Sequence, residues 1–137
     1  MLRSVRNLQS NLLVLGAALA AALVPAAVLA GPPQQVFMDN CSACHRPNGL
    51  GVPGAFPALA GDRFVLGDAR PAVLTVLNGR GGMPAFKTSL SDADIAAALT
   101  YVRTAWGNKA KPVSAAEVAK ARASGAPAPP RAGLQAH

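Results

Sequence analysis

Aromatic residues are scarce, with one Trp, one Tyr and four Phe in 137 residues. A domain this small with so little ring surface builds only a thin core from its own side chains. Cysteine is scarcer still: Cys41 and Cys44 are the only two, and His45 is the one histidine near them. That set falls short of the four ligands of a structural zinc site. Acidic groups number six against thirteen basic ones, a formal net charge of +7, which taken alone would suit nucleic acid. The placement of the charge excludes that partner. Residues 31–107 hold six basic and five acidic groups, while the excess lies in residues 1–30 (Arg3, Arg6) and in residues 108–137, with five basic groups and one acid. No basic stripe is interleaved with aromatic residues, so no nucleic acid is expected.

What the sequence does have is Cys41-Ser42-Ala43-Cys44-His45. Two thiols three apart, followed by an imidazole, have the spacing of a c-type haem attachment site. On one helical turn both cysteines face the same side. Each can form a thioether to one vinyl group of a single porphyrin, and His45 can reach the iron as proximal ligand. A porphyrin would also supply the apolar bulk that the side chains lack. Two other readings use the same residues. One is a surface turn with a disulfide or free thiols. The other is a dithiol redox pair, which has no need of the adjacent histidine.

Arg3 and Arg6 precede an uncharged, mostly apolar run from Leu12 to Ala30, with Pro25 near its end and small Val28 and Ala30 before Gly31. This is the layout of a secretory signal over residues 1–30, cut after Ala30. The alternative is an uncleaved anchor, since the run is just long enough to span a bilayer. Both place the cysteines outside the cytoplasm, so the expected location is periplasmic, or at the membrane if the segment is retained.

Pro33 can open a helix, and Gln34 to Cys44 reads as a short one, with Val36, Phe37, Asn40 and Cys44 at helical spacing and Phe37 as a packing residue. Met38 shares this helix, too near His45 in sequence to cross to the other face of a haem. Residues 46–61 are punctuated throughout by Gly and Pro, so neither helix nor regular strand is expected there. Phe56 and Leu59 are the expected inward-facing side chains. Asp68 caps a helix over Ala69 to Leu77, tolerating Pro71 in its first turn, and Asn78-Gly79 stops it. Then comes Arg80-Gly81-Gly82-Met83-Pro84. A thioether is a soft ligand suited to haem iron, and the glycines let the backbone run near a ring edge. Met83 is therefore the candidate distal ligand, against the plainer reading of core filler. Ser91 caps a last clear helix with Asp92 and Asp94 in its first turn. Ile95, Leu99, Val102 and Trp106 form its apolar stripe, expected to pack on the Phe37 helix, and Gly107 ends it. Tyr101 is a candidate for the same contact or for a hydrogen bond to the cofactor. Residues 108–137 read as a basic, Ala/Pro-rich flexible tail, within which Ser114 and Glu117 can cap a short helix through Lys120 to Arg122.

Residues from about Pro33 to Gly107 resemble class I c-type cytochromes. The resemblance rests on Cys41-Ser42-Ala43-Cys44-His45, Phe56-Pro57-Ala58-Leu59-Ala60-Gly61, Gly82-Met83-Pro84, Tyr101-Val102-Arg103 and Trp106-Gly107-Asn108. It implies an all-α, small cytochrome c fold: three to four short helices and loops wrapped around one covalent haem c. It implies thioethers at Cys41 and Cys44, a proximal His45 and a distal Met83. It also implies that the carbonyl of Pro57, twelve residues after the histidine, accepts a hydrogen bond from the other ring nitrogen of His45. One departure stands out: Pro33 occupies a position where members often carry a glycine at the crossing of the first and last helices.

The function expected is one-electron transfer, iron cycling between ferric and ferrous, with no substrate on the metal. Arg46, Arg80 and Lys87 flank the ligand loops in sequence and are candidates to steer redox-partner proteins with acidic docking surfaces. The free protein is expected to be a monomer and not an enzyme. Alternatives are a haem-c subunit of a larger dehydrogenase or oxidase complex at a membrane, a haem enzyme or sensor with an open distal site, and a haem-free dithiol oxidoreductase.

Overall fold

The computed structural model describes residues 30–130. The expected leader therefore lies outside the described residues, apart from Ala30. Among the described residues there are six helices and no strands: α1 (Pro33–Asn40), α2 (Ser42–His45), α3 (Arg63–Leu66), α4 (Ala69–Asn78), α5 (Asp92–Thr104) and α6 (Ala115–Ala123). Isolated bridges join Val52 to Phe56 and Arg80 to Met83. No helix among the described residues is long and apolar enough to cross a membrane.

The single helix expected over Gln34 to Cys44 is broken at Cys41, whose φ of −124° separates α1 from α2. The residues flanking the break explain it. The Asn40 amide donates to the Val36 carbonyl at 2.9 Å and the Ser42 hydroxyl donates to the Met38 carbonyl at 2.6 Å. Side chains that bond back four residues compete with the helical ladder and bend it. Pro33 sits at the first helical position, where a missing N–H costs nothing. The close approach to α5 is made one turn later, by Val36 against the small Ala97 and Ala98.

The helix from Asp68 forms as the pattern predicts. The Asp68 carboxylate accepts from the Arg70 N–H at 3.1 Å, and Gly79, at φ +70°, ends the helix. Ser91 likewise caps α5, accepting from the Asp94 N–H at 3.1 Å. This helix stops sooner than its apolar stripe suggests. It closes at Thr104, and Trp106 lies beyond it at φ +54°. The stripe also divides. Val102 joins Phe37, Val65, Tyr101 and Trp106, whereas Ile95 and Leu99 pack with Val73 and Leu77 of α4 and Val118 of α6. The short α3 carries no periodicity a sequence could show, being one turn long. Its start is nonetheless capped, the Asp62 carboxylate accepting from the Val65 N–H at 3.0 Å.

The flexible tail expected over residues 108–137 is, as far as Ala126, part of the folded domain. Ser114 and Glu117 form a reciprocal capping box, and those hydrogen bonds, from the Ser114 backbone and then its side chain, lower the Glu117 pKa. Val113, Val118 and Ala121 are buried against α4 and α5, and Ala126 packs beside them. Arg122 pairs with Asp92 at 2.7 Å and donates to the carbonyls of Lys87 and Leu90. α6 thus helps to cover Leu77 and Ile95, a cluster that Phe64 also packs against.

Two buried polar residues close the domain. Arg103, 4% exposed, donates to the carbonyls of Val65, Gly67 and Lys111. It thus supplies donors to the open carbonyl end of α3. Asn108, 5% exposed, donates to the carbonyls of Leu59 and Val102 at 3.1 and 2.7 Å and accepts from the Gly61 N–H at 2.8 Å. One amide therefore fastens the end of the 46–61 loop to the end of α5. Its weight follows from burial: each group orphaned in such a place costs about 1–3 kcal/mol.

Candidate functional site

The α1–α5 crossing sets the position of the Cys-His turn. Phe37 is fully buried and meets Tyr101 and Trp106 with ring centroids 5.3 and 5.2 Å away, so Tyr101 makes the packing contact expected of it. Cys41 and Met38 pack against this same cluster. The motif's first cysteine is thus anchored to the aromatic core, and the one-turn α2 then carries Cys44 and His45.

Both cysteine side chains are half-buried. Burial first, and then the nearby Cys44, pushes the Cys41 thiol up to about 11.

The His45 ring Nδ1 lies 2.9 Å from the Pro57 carbonyl oxygen. A carbonyl only accepts, so Nδ1 carries the proton and the Nε2 lone pair is left for a metal. The loop between these residues is tightly tied. The Gly51 N–H donates to the His45 carbonyl at 3.0 Å, and the Leu59 and Ala60 N–H groups both donate to the Gly49 carbonyl, at 2.7 and 3.0 Å. The Trp106 indole donates to the Pro47 carbonyl at 3.0 Å. A Cβ on Gly49 would lie 2.5 Å from the Trp106 ring. Gly51, at φ +60°, sits so close behind the histidine's acceptor that a Cβ would lie 2.4 Å from the Phe56 oxygen and 2.5 Å from the Pro57 oxygen. Leu59 takes the expected inward place, half-buried beside the Phe37 cluster, and Phe56 is 38% exposed. Reciprocal 2.8 Å bonds between the Val52 and Phe56 backbones hold Phe56 in place.

Met83 is half-buried in a second tight turn. Its N–H donates to the Arg80 carbonyl and its carbonyl accepts from the Arg80 N–H, both at 3.1 Å. Gly79 allows the chain to return here, since a Cβ on it would meet the Met83 oxygen at 2.5 Å. Arg46 and Lys87 are exposed. Arg80 differs: it is half-buried, with its guanidinium 4.7 Å over the Phe64 ring and donating to the Pro129 carbonyl at 3.0 Å.

The family model described as cytochrome C oxidase, cbb3-type, subunit III matches residues 29–102. The chain belongs to this family of c-type cytochromes. Among relatives of the cytochrome, the cytochrome c subunit of a quinone alcohol dehydrogenase from Gluconobacter oxydans is 36% identical over 106 residues, 68% of this chain and 22% of that subunit. Cytochrome c-552 of Thermus thermophilus is 37% identical over 104 residues, 61% of this chain and 79% of that protein. The cbb3-type oxidase subunit CcoP of Azospirillum brasilense is 38% identical over 81 residues, 54% of this chain and 28% of that subunit. The chain thus spans less than a quarter of the dehydrogenase subunits it matches. The cytochrome's all-α architecture agrees with the family, and family membership carries a covalent haem c. The residues present suit that group in their donor chemistry: two thiols and an imidazole on one turn, with the imidazole's second nitrogen already engaged. Gly51, Asn108 and Arg103 are supporting residues that spacing alone does not single out. Arg103 and Asn108 both stand within motifs that carry the family resemblance, whereas Gly51 resembles the other glycines of its loop.

Proposed function

We propose that the chain is a one-electron carrier whose haem c is held by thioethers at Cys41 and Cys44, with His45 Nε2 as proximal and the Met83 sulfur as distal ligand. The 2.9 Å contact between His45 Nδ1 and the Pro57 oxygen is the observation that carries this reading. It sets the tautomer and orients the ring, as supporting partners of ligating histidines do. A haem so held supplies reversible ferric–ferrous chemistry, and methionine–histidine ligation raises its potential. The chain's own task is to keep both ligands in place through a change of one charge. The two backbone-closed turns around Pro57 and Met83 suit that task.

The haem domain is taken to run from residue 31 past residue 107 to include α6, with residues 1–30 as an export signal or anchor that places the protein in the periplasm or at its membrane. Redox proteins with acidic surfaces are the proposed partners, met by exposed Arg46 and Lys87. Since the Debye length contracts from about 10 Å at 0.1 M salt to about 3 Å at 1 M, electron-transfer rates are expected to fall as salt rises. A rate indifferent to salt removes steering by these two residues. A second reading, a haem subunit within a dehydrogenase or oxidase complex, is favoured by the relatives, several of which are such subunits.

The direct test is expression in a host that matures such proteins. Denatured protein treated with alkaline pyridine is expected to give the ferrous spectrum of thioether-linked haem at about one per chain, with the colour retained through a denaturing gel. A chain left colourless by denaturation overturns the assignment.

A further inference from the structure

Arg80 joins the Met83 turn to the segment following α6. Its backbone exchanges both hydrogen bonds with Met83, each at 3.1 Å. Its side chain reaches the other way, donating to the Pro129 carbonyl at 3.0 Å and lying over the Phe64 ring. Two residues earlier, at the end of α4, the Asn78 amide donates to the Ala126 carbonyl at 3.0 Å and to the Leu74 carbonyl at the same distance. The segment from Ala126 to Pro129 is therefore fastened at both ends along the base of the turn. It contains Pro127 and Pro129, whose fixed φ reduces the entropy lost on ordering it. It also lies beyond residues 29–102, the part matched by the family model.

We propose that Arg80 is a positioning residue through which this C-terminal strap holds the Met83 turn closed, so that the sulfur stays where it can bind. This rests on Met83 as the distal ligand. The physical argument is one of competing states. Opening of its turn withdraws a distal methionine from the iron, and with Arg80 fixed that opening must separate the Arg80–Met83 pair. While the Arg80 guanidinium is held, its half of the pair cannot follow Met83 outward. Loss of a hydrogen bond from a charged donor weakens the closed state by about one order of magnitude in population, and an external ligand that needs the open state gains affinity by the same factor.

The experiment uses full-length oxidised holoprotein and imidazole as the probe, well below the melting temperature. Arg80→Ala is expected to bind imidazole about tenfold more tightly than the unaltered protein. Its long-wavelength sulfur-to-iron band should vanish at a lower temperature than its far-UV helix signal. Arg80→Lys should recover part of the effect. Asn78→Ala frees the strap without touching the Arg80–Met83 pair, so it should shift imidazole affinity in the same direction and carries the test if Arg80→Ala does not fold. Unchanged imidazole affinity in both variants overturns the strap, as does a band that disappears only together with the helix signal. An unaltered protein that lacks the band altogether overturns the Met83 assignment itself, and the strap with it.

Discussion

Met83→Ala is expected to erase the sulfur-to-iron band of the oxidised cytochrome and to lower its reduction potential by on the order of 100 mV, within the roughly 0.8 V over which axial ligands and their surroundings move haem potentials. The thioether donates weakly and favours the ferrous form, so its replacement by water or a stronger donor stabilises ferric iron. Two local facts make the change easy to read. Ala is small, and the backbone pair between residues 80 and 83 does not depend on the side chain, so the turn itself should survive. Met38 is no substitute, because it packs against the Phe37 cluster on the helix leading into the Cys-His turn. Met38→Leu is accordingly the control, and its potential should stay near that of the unaltered protein. A spectroelectrochemical titration of the three proteins decides the matter. A Met83→Ala protein with its potential and band intact would move the distal assignment elsewhere.

Gly51→Ala is expected to destabilise the folded protein by about 3 kcal/mol, combining about 1–2 kcal/mol for a left-handed residue with a Cβ and about 1–3 kcal/mol for overpacking. The new methyl would meet backbone oxygens at 2.4 and 2.5 Å, which have no flexible side chain to yield. One of those oxygens is the Pro57 acceptor of the His45 ring proton, so the relief of the clash must disturb the imidazole. Gly54→Ala separates the two contributions. Gly54 also has positive φ, +77°, yet nothing lies within 4 Å of its Cβ position, so only the backbone cost of about 1–2 kcal/mol applies. Guanidinium unfolding of both variants gives the difference. Equal losses would show that the Pro57 carbonyl yields without cost.

Much of this organisation was legible in the residues, and the parts that were not share a cause. Caps are local chemistry, so Asp68, Ser91 and the Ser114–Glu117 box could be placed by type and spacing, and the structure carries all three. The Cys-His turn was legible because covalent haem attachment demands particular atoms at a fixed spacing. Apolar spacing told that Ile95, Leu99 and Val102 share a face. It could not tell that α6 would take Ile95 and Leu99 while α1 took Val102, because that choice depends on elements far along the chain. For the same reason the basic, alanine-rich end looked solvated. The apolar side chains it buries among the described residues, Val113, Val118 and Ala121, are too small and too widely spaced to announce a core. Arg80 was misjudged as a docking charge because its partners, Phe64 and Pro129, lie 16 residues before it and 49 after it.

Trp106 adopts φ +54°, an uncommon state for a bulky residue. It is held there by ring contacts with Phe37 and Tyr101 at 5.2 and 5.4 Å and by its bond to the Pro47 carbonyl. It is also the chain's sole tryptophan. The cytochrome therefore contains a built-in fluorophore at the seam between the haem-binding loop and the terminal helices. Indole emission, quenched by energy transfer when a haem is bound, should rise when that seam comes apart, with no label added and no second emitter of its kind to subtract.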